Sequence, residues 1–156
     1  MPAPQPLPSP QSRPDAASTE ILLDARLVLG EHRSVDIPVR FEYHADDPLA
    51  VALEFLGPAA EGGIWQFARD LLCEGLQKPV GLGDVRIWPP CTCHGRTALR
   101  IMLRGHDGTV LIDLPPRQVR RWLRRETFAL VPQGTEGNLI DWDTELRGLA
   151  DTDWPV

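Results

Sequence analysis

A chain of 156 residues with 42% hydrophobic side chains has room for one folded domain with a real core, but not for a second enzyme-sized unit. Its 22 acidic and 16 basic residues leave a net charge of −6, which argues against a protein whose main work is coating nucleic acid. Three cysteines cannot all pair within one chain, no secretory leader pattern opens it, and no apolar run approaches the roughly 18 to 20 residues of a membrane span, so a soluble protein of a reducing, cytoplasmic compartment without membrane insertion is expected.

Residues 1–18 hold six of the 16 prolines and almost nothing that could be buried, which predicts a disordered proline-rich tail. A single domain is then expected over 19–150, with 151–156 a flexible C-terminus. From Thr19 the apolar residues recur with period two, the mark of half-buried strands. Ile21, Leu23, Ala25, Leu27 and Leu29 share one face of a first strand. Val35, Ile37, Val39, Phe41 and Tyr43 line a second, in which Pro38 suggests an edge or a bulge. Leu49, Val51, Leu53 and Phe55 make a third, opened by an Asp46-Asp47-Pro48 turn and closed by Gly57-Pro58.

Over Ile64 to Leu76 the spacing of Ile64, Ala68, Leu71, Leu72, Gly75 and Leu76 predicts a helix with Arg69 on its polar side. Gly81-Leu82-Gly83-Asp84 reads as a turn. Strands are predicted over Asp84–Trp88, Thr97–Arg104 and Thr109–Leu114, the last two joined by a tight turn at His106-Asp107-Gly108. A second helix opens after Pro115-Pro116 and runs to about Phe128, and a third covers Leu139 to Leu149. The expected fold is α+β: two antiparallel three-stranded sheets with helices in a βββα-βββα-α order.

No catalytic constellation is spelled out. Three of the four serines lie in the tail, which leaves Ser34 without a neighbouring base. The Gly81–Asp84 stretch leads into a strand, the reverse of a phosphate-binding fingerprint, and Asp46-Asp47 reads as turn chemistry. Cys91-Thr92-Cys93-His94 gathers soft donors that could share zinc, but a closed structural site needs a fourth ligand, for which only Cys73, His32, His44 and His106 are available. A loop between strands is the simpler reading, and no cofactor or metal is called for.

One charge feature stands out. Arg117, Arg120, Arg121, Arg124 and Arg125 are spaced i, i+3, i+4, i+7 and i+8, which places all five on one face of the second helix. Residues 117–126 carry a net charge of +4, whereas the stretches before and after are each −5. Either the acidic C-terminal segment folds back to neutralise this stripe, or an outside partner does. An acidic protein fits better than nucleic acid or a membrane surface.

The stretch from Asp47 to Pro90 resembles the SsgA-like family of sporulation-associated cell-division proteins, and within it the SsgB type. The likeness is carried by Asp47-Pro48-Leu49-Ala50-Val51, by WQFARDLLCEGL from Trp65 to Leu76, by Pro79 and Gly81, and by Gly83-Asp84-Val85-Arg86-Ile87-Trp88-Pro89. Further on it includes Leu130-Val131-Pro132, Gly134-Thr135-Glu136 and the Asp141 to Leu146 segment. Leu49 departs from it, standing where an aromatic is expected, as do the tail and the Cys91–His94 loop. The resemblance implies a non-enzymatic septation factor, found at the division septum, whose partners are the tubulin-like FtsZ and other SsgA-like proteins. It also implies a Whirly-like architecture assembled as a homotrimer. The rival reading is a Whirly-like binder of single-stranded nucleic acid, which needs exposed aromatic platforms beside a basic groove.

Overall fold

A computed structural model describes residues 17–57 and 63–139. The predicted tail, the third helix over Leu139 to Leu149 and the C-terminal acidic segment lie wholly or almost wholly outside these residues.

The chain forms strands β1 (Ser18–Gly30), β2 (Arg33–His44), β3 (Ala50–Phe55) and β4 (Ile64–Ala68), then helix α1 (Arg69–Gly75). Strands β5 (Val80–Leu82), β6 (Val85–Trp88), β7 (Leu99–Gly105) and β8 (Gly108–Leu114) follow, and helix α2 begins at Pro116. All eight strands belong to one curled antiparallel sheet in the order β4-β3-β2-β1-β8-β7-β6-β5.

This corrects the α+β expectation of two three-stranded sheets in βββα-βββα-α order with Whirly-like architecture. Two strands were missed. Ile64–Ala68, read as the first turns of a helix, pairs with β3 through Val51↔Phe67 and Leu53↔Trp65. Val80–Leu82, whose last two residues were read as part of the Gly81–Asp84 turn, pairs with β6, and the turn is confined to Gly83, at φ 60°, and Asp84. The halves then fuse because β1 meets β8 at Arg26↔Asp113 and Leu27↔Ile112, a seam between residues far apart in sequence. Pro38 lies in an interior strand, at the end of the β2–β3 ladder, and the register irregularity falls in β1 between Val28 and Gly30.

The alternation read from the sequence sets which face is buried. Val39, Phe41 and Tyr43 are fully covered, and register places Leu23 opposite Val39, Phe41 opposite Leu53, Ile87 opposite Ile101 and Leu99 opposite Leu114. Leu71, Leu72 and Leu76 from the α1 region and Val119, Trp122 and Leu123 from the α2 region close over that face as one core. At its centre the Trp122 ring lies 5.8 Å from Phe41, and its indole N–H donates to Thr19 Oγ1 at 3.2 Å. Truncating such a buried indole to alanine costs about 3–5 kcal/mol. The other sheet face is polar. There Arg40 joins Glu20 and Glu54 on the neighbouring strands and Glu42 on its own, and Arg100 makes a bidentate pair with Asp113 at 2.7 and 2.9 Å.

Candidate functional site

Helix α2 (Pro116–Trp122) starts where Pro115 and Pro116 fix an extended-to-helical turn, and it buries Val119 and Trp122. The helix then continues through a π turn, Leu123–Thr127, to a last turn at Phe128–Leu130. In the π turn the Leu123 carbonyl accepts both the Phe128 N–H and the Thr127 hydroxyl, the latter at 2.7 Å. Buried Val119, Trp122, Leu123 and Thr127 hold one side of the helix against the sheet. Arg117, Arg120, Arg121, Arg124 and Arg125 are therefore all exposed, as their spacing predicts.

Among the described residues none of the five makes an ion pair or a side-chain hydrogen bond. Like charges at i, i+4 cost a few tenths of a kcal/mol per pair, so this face carries repulsion with no compensation in the described structure. Arg120 and Arg124 also do something the spacing does not foretell. They rim a pocket of about 330 Å³ whose other walls include Cys73, Leu76, Leu123 and Phe128. A cationic rim over a partly apolar floor can grip a segment that offers a carboxylate and an aliphatic or aromatic side chain together.

Against Phe128, one wall of the pocket, sits a residue expected on the polar side of a helix. Arg69 follows the last residue of β4, its N–H donates to the Leu49 carbonyl at 2.8 Å, and its side chain is 1% exposed. One guanidinium nitrogen donates to the carbonyls of Thr127 and Val131 at 3.1 and 2.8 Å, and the other to Glu136 Oε1 at 2.6 Å. The guanidinium lies between the rings of Tyr43 and Phe128, 4.7 and 4.9 Å from their centres. It thus gives the Val131 carbonyl a partner and adds a second donor to the Thr127 carbonyl, which already accepts the Val131 N–H at 3.0 Å, at the helix C-terminus where the dipole also favours a cation. The position falls inside the WQFARD block and Glu136 inside Gly134-Thr135-Glu136, so motif membership was the available signal; helical periodicity pointed the wrong way.

Burial pushes the Tyr43 hydroxyl up to about 12, against the opposing pull of Arg69, and its O–H donates to the Pro48 carbonyl at 2.9 Å. Burial likewise pushes the Cys73 thiol up to about 11. Cys91 behaves oppositely: hydrogen bonds from Cys93 and then His94 pull its thiol down to about 6. A larger open groove of about 1070 Å³ runs from His94 past Arg96 and Arg100 to Asp24 and Asp36, and in it Arg100 is paired with Asp113 and Arg26 with Asp36.

The pattern of the family described as Streptomyces sporulation and cell division protein, SsgA, matches residues 37–136. The chain belongs to the SsgA family. It is 43% identical over 127 residues to the sporulation-specific cell division protein SsgB of Streptomyces coelicolor, an alignment covering 81% of this chain and 91% of that one. It is 37% identical to SsgB of Frankia casuarinae, covering 88% and 93%. Among solved structures, one described by the finding that mutations in SsgB correlate to longitudinal cell division during sporulation of S. coelicolor superposes with TM-score 0.73 at 39% identity, covering 80% of this chain and 97% of that chain. The SsgA-like sporulation-specific cell division protein of Thermobifida fusca superposes with TM-score 0.72 at 30% identity, covering 88% and 99%. SsgA-family membership assigns the chain to cell division linked to sporulation. No helix among its described residues is long and apolar enough to cross a membrane.

Proposed function

We propose that this SsgA-family protein is a non-enzymatic adaptor of sporulation septation, which docks an acidic segment of an FtsZ-type division protein on the arginine face of α2 at the septum. The observation that supports the reading is the set of exposed guanidinium groups, unpaired among the described residues, two of which rim a pocket whose mixed lining includes Leu76, Leu123 and Phe128 beside Gln77 and Gln133. In this reading Arg120 and Arg124 hold the partner's carboxylates while an apolar side chain enters between Leu123 and Phe128. Arg117, Arg121 and Arg125 extend the field and steer encounter.

Assembly into a homo-oligomer, a trimer by family likeness, is part of the proposal. The apolar stripe of the β1–β2 hairpin runs past the core to Leu29 and Val35, both 51% exposed, and Leu22 on the opposite face is 63% exposed. Such a stripe suits contact with another copy.

Co-sedimentation with FtsZ polymers tests the docking. The wild-type chain is expected to pellet with them in a salt-sensitive way, and Arg120→Glu/Arg124→Glu to stay in the supernatant while melting at an unchanged or slightly higher temperature. Equal pelleting of both chains defeats the proposal. Among the described residues nothing supplies the platform that the nucleic-acid reading needs: none of their aromatic side chains is exposed, and Phe41, Tyr43, Phe67 and Trp122 are buried in the core.

A further inference from the structure

Strand β6 ends at Trp88, and Pro89-Pro90 lead into a small closed loop. Its ends are clamped by two backbone hydrogen bonds, Cys91 N–H to the Arg96 carbonyl at 2.8 Å and Arg96 N–H to the Cys91 carbonyl at 2.9 Å. Thr92–His94 form a single 3₁₀ turn, which Gly95 ends at φ 64°. The Arg96 guanidinium donates back to the Pro89 carbonyl at 3.1 Å. Inside this frame Cys91 Sγ lies 2.8 Å from Cys93 Sγ and 3.3 Å from His94 Nδ1, and the three donor atoms all lie within 4.8 Å of one another.

We infer that this loop is a zinc site, with Cys91 Sγ, Cys93 Sγ and His94 Nδ1 as its three protein ligands and the fourth coordination position open to solvent or to a partner's donor. The donor set is right for the ion: two thiolates and a neutral imidazole suit a borderline-soft cation that prefers tetrahedral geometry. Zn²⁺ takes the thiolate forms and displaces whatever thiol protons remain, so two thiolates and the dication leave the metal and its ligands with no net charge.

The distances fit after a small adjustment. Zinc–sulfur bonds of about 2.3 Å and a zinc–nitrogen bond of about 2.0–2.1 Å, set tetrahedrally, put ligand atoms roughly 3.5–3.8 Å apart. The Cys91–His94 pair is already close to that span, and the two sulfurs need to part by about 1 Å. Cys93 and His94 are exposed, so side-chain rotation supplies the movement without disturbing the clamped backbone. The ordering cost of gathering three ligands is met in advance by the loop's own hydrogen bonds and prolines.

The site is open for a structural reason. Three ligands come from four consecutive residues, and neither Cys73 nor His32, His44 or His106 joins the cluster among the described residues. It lies at the end of the groove lined by Arg96, Arg100 and Asp113, and shares no residue with the arginine face or its pocket. The inference therefore stands apart from the docking proposal.

Cobalt(II) titration of the reduced, metal-free full chain tests it. An intense sulfur-to-cobalt charge-transfer band is expected, saturating at one equivalent per chain and bleached by an equivalent of zinc. Cys91→Ser and Cys93→Ser should each lose the band, His94→Ala should weaken cobalt binding, and Cys73→Ser should keep the band unchanged. Because the loop is exposed, all four chains should retain the wild-type circular dichroism spectrum. Absence of the band in the wild-type chain overturns the inference, as does a band that survives in Cys91→Ser/Cys93→Ser. A Cys91–Cys93 disulfide that forms in air equally fast with and without zinc also overturns it, since bound metal would shield both sulfurs.

Discussion

Arg69 and Glu136, 67 residues apart in sequence, meet in a 2.6 Å hydrogen-bonded ion pair with both side chains sealed from solvent. The pair ties the β4–α1 junction to the segment after α2, and through the Thr127 and Val131 carbonyls it fixes the helical turn that carries Arg124 and Arg125. A core contact therefore sets the position of a surface face.

Removing one partner strands a buried charge, so Arg69→Ala and Glu136→Ala should each cost about 3–5 kcal/mol in urea unfolding. The double variant should cost clearly less than the sum of the two. Arg69→Lys should also destabilise, since a single ammonium nitrogen cannot lie over the Tyr43 and Phe128 rings while reaching two carbonyls and a carboxylate as the guanidinium fork does. Additive losses in the double-variant cycle would show that the pair is not coupled as described.

The same pair predicts a pH dependence. Burial pushes the Glu136 carboxyl up, but the Arg69 hydrogen bond, backbone amides and the guanidinium charge together hold it below its ordinary value of 4.5. A carboxyl that titrates lower when folded contributes stability that is fully present above its unfolded pKa and is lost as pH falls through the folded value. The stability gap between the wild-type chain and Glu136→Gln should therefore be widest at neutral pH and shrink below about pH 4.5. A gap independent of pH would contradict the assignment.

Gly75 ends α1 against β6, and a methyl group there would fall 2.3 Å from Ile87 Cγ2 and 2.6 Å from Ile87 Cβ. Ile87 is fully buried and cannot give way. At a helix end the propensity gain of alanine is small, so Gly75→Ala should destabilise by about 1–3 kcal/mol through overpacking. Calorimetry that found Gly75→Ala as stable as wild type would show that α1 sits farther from β6.

The cysteines should separate by reactivity. With its thiol pulled down to about 6, metal-free Cys91 is largely thiolate at neutral pH, whereas Cys73, half-buried and pushed up to about 11, is protonated. Brief iodoacetamide treatment followed by peptide mass analysis should find Cys91 alkylated well before Cys73, and urea should abolish the difference. Equal labelling in the folded chain would refute it.

Much of this was legible in residue order. The alternation through Val39, Phe41 and Tyr43 fixes a buried strand face whatever the strand pairs with, because side chains of successive residues point to opposite sides. Pro115-Pro116 and the i, i+3, i+4 spacing likewise place five arginines on the outer side of α2 and of the π turn that continues it, since burial of Val119, Trp122, Leu123 and Thr127 turns them toward solvent. Trp65 and Phe67 alternate against Ile64 and Gln66 in the same way, a signal for β4 that was masked by the helical spacing of Ile64, Ala68, Leu71 and Leu72.

What local order could not decide was partnership. Whether β1 joins β8, and so whether eight strands make one sheet or several, depends on Leu27 meeting Ile112 across the chain. Whether Arg69 is solvated or buried depends on Glu136 and two rings converging on it from three other segments. Periodicity records which side of an element prefers to leave water; the free energy of long-range pairing and of a buried charge is settled only when distant segments compete for the same partners.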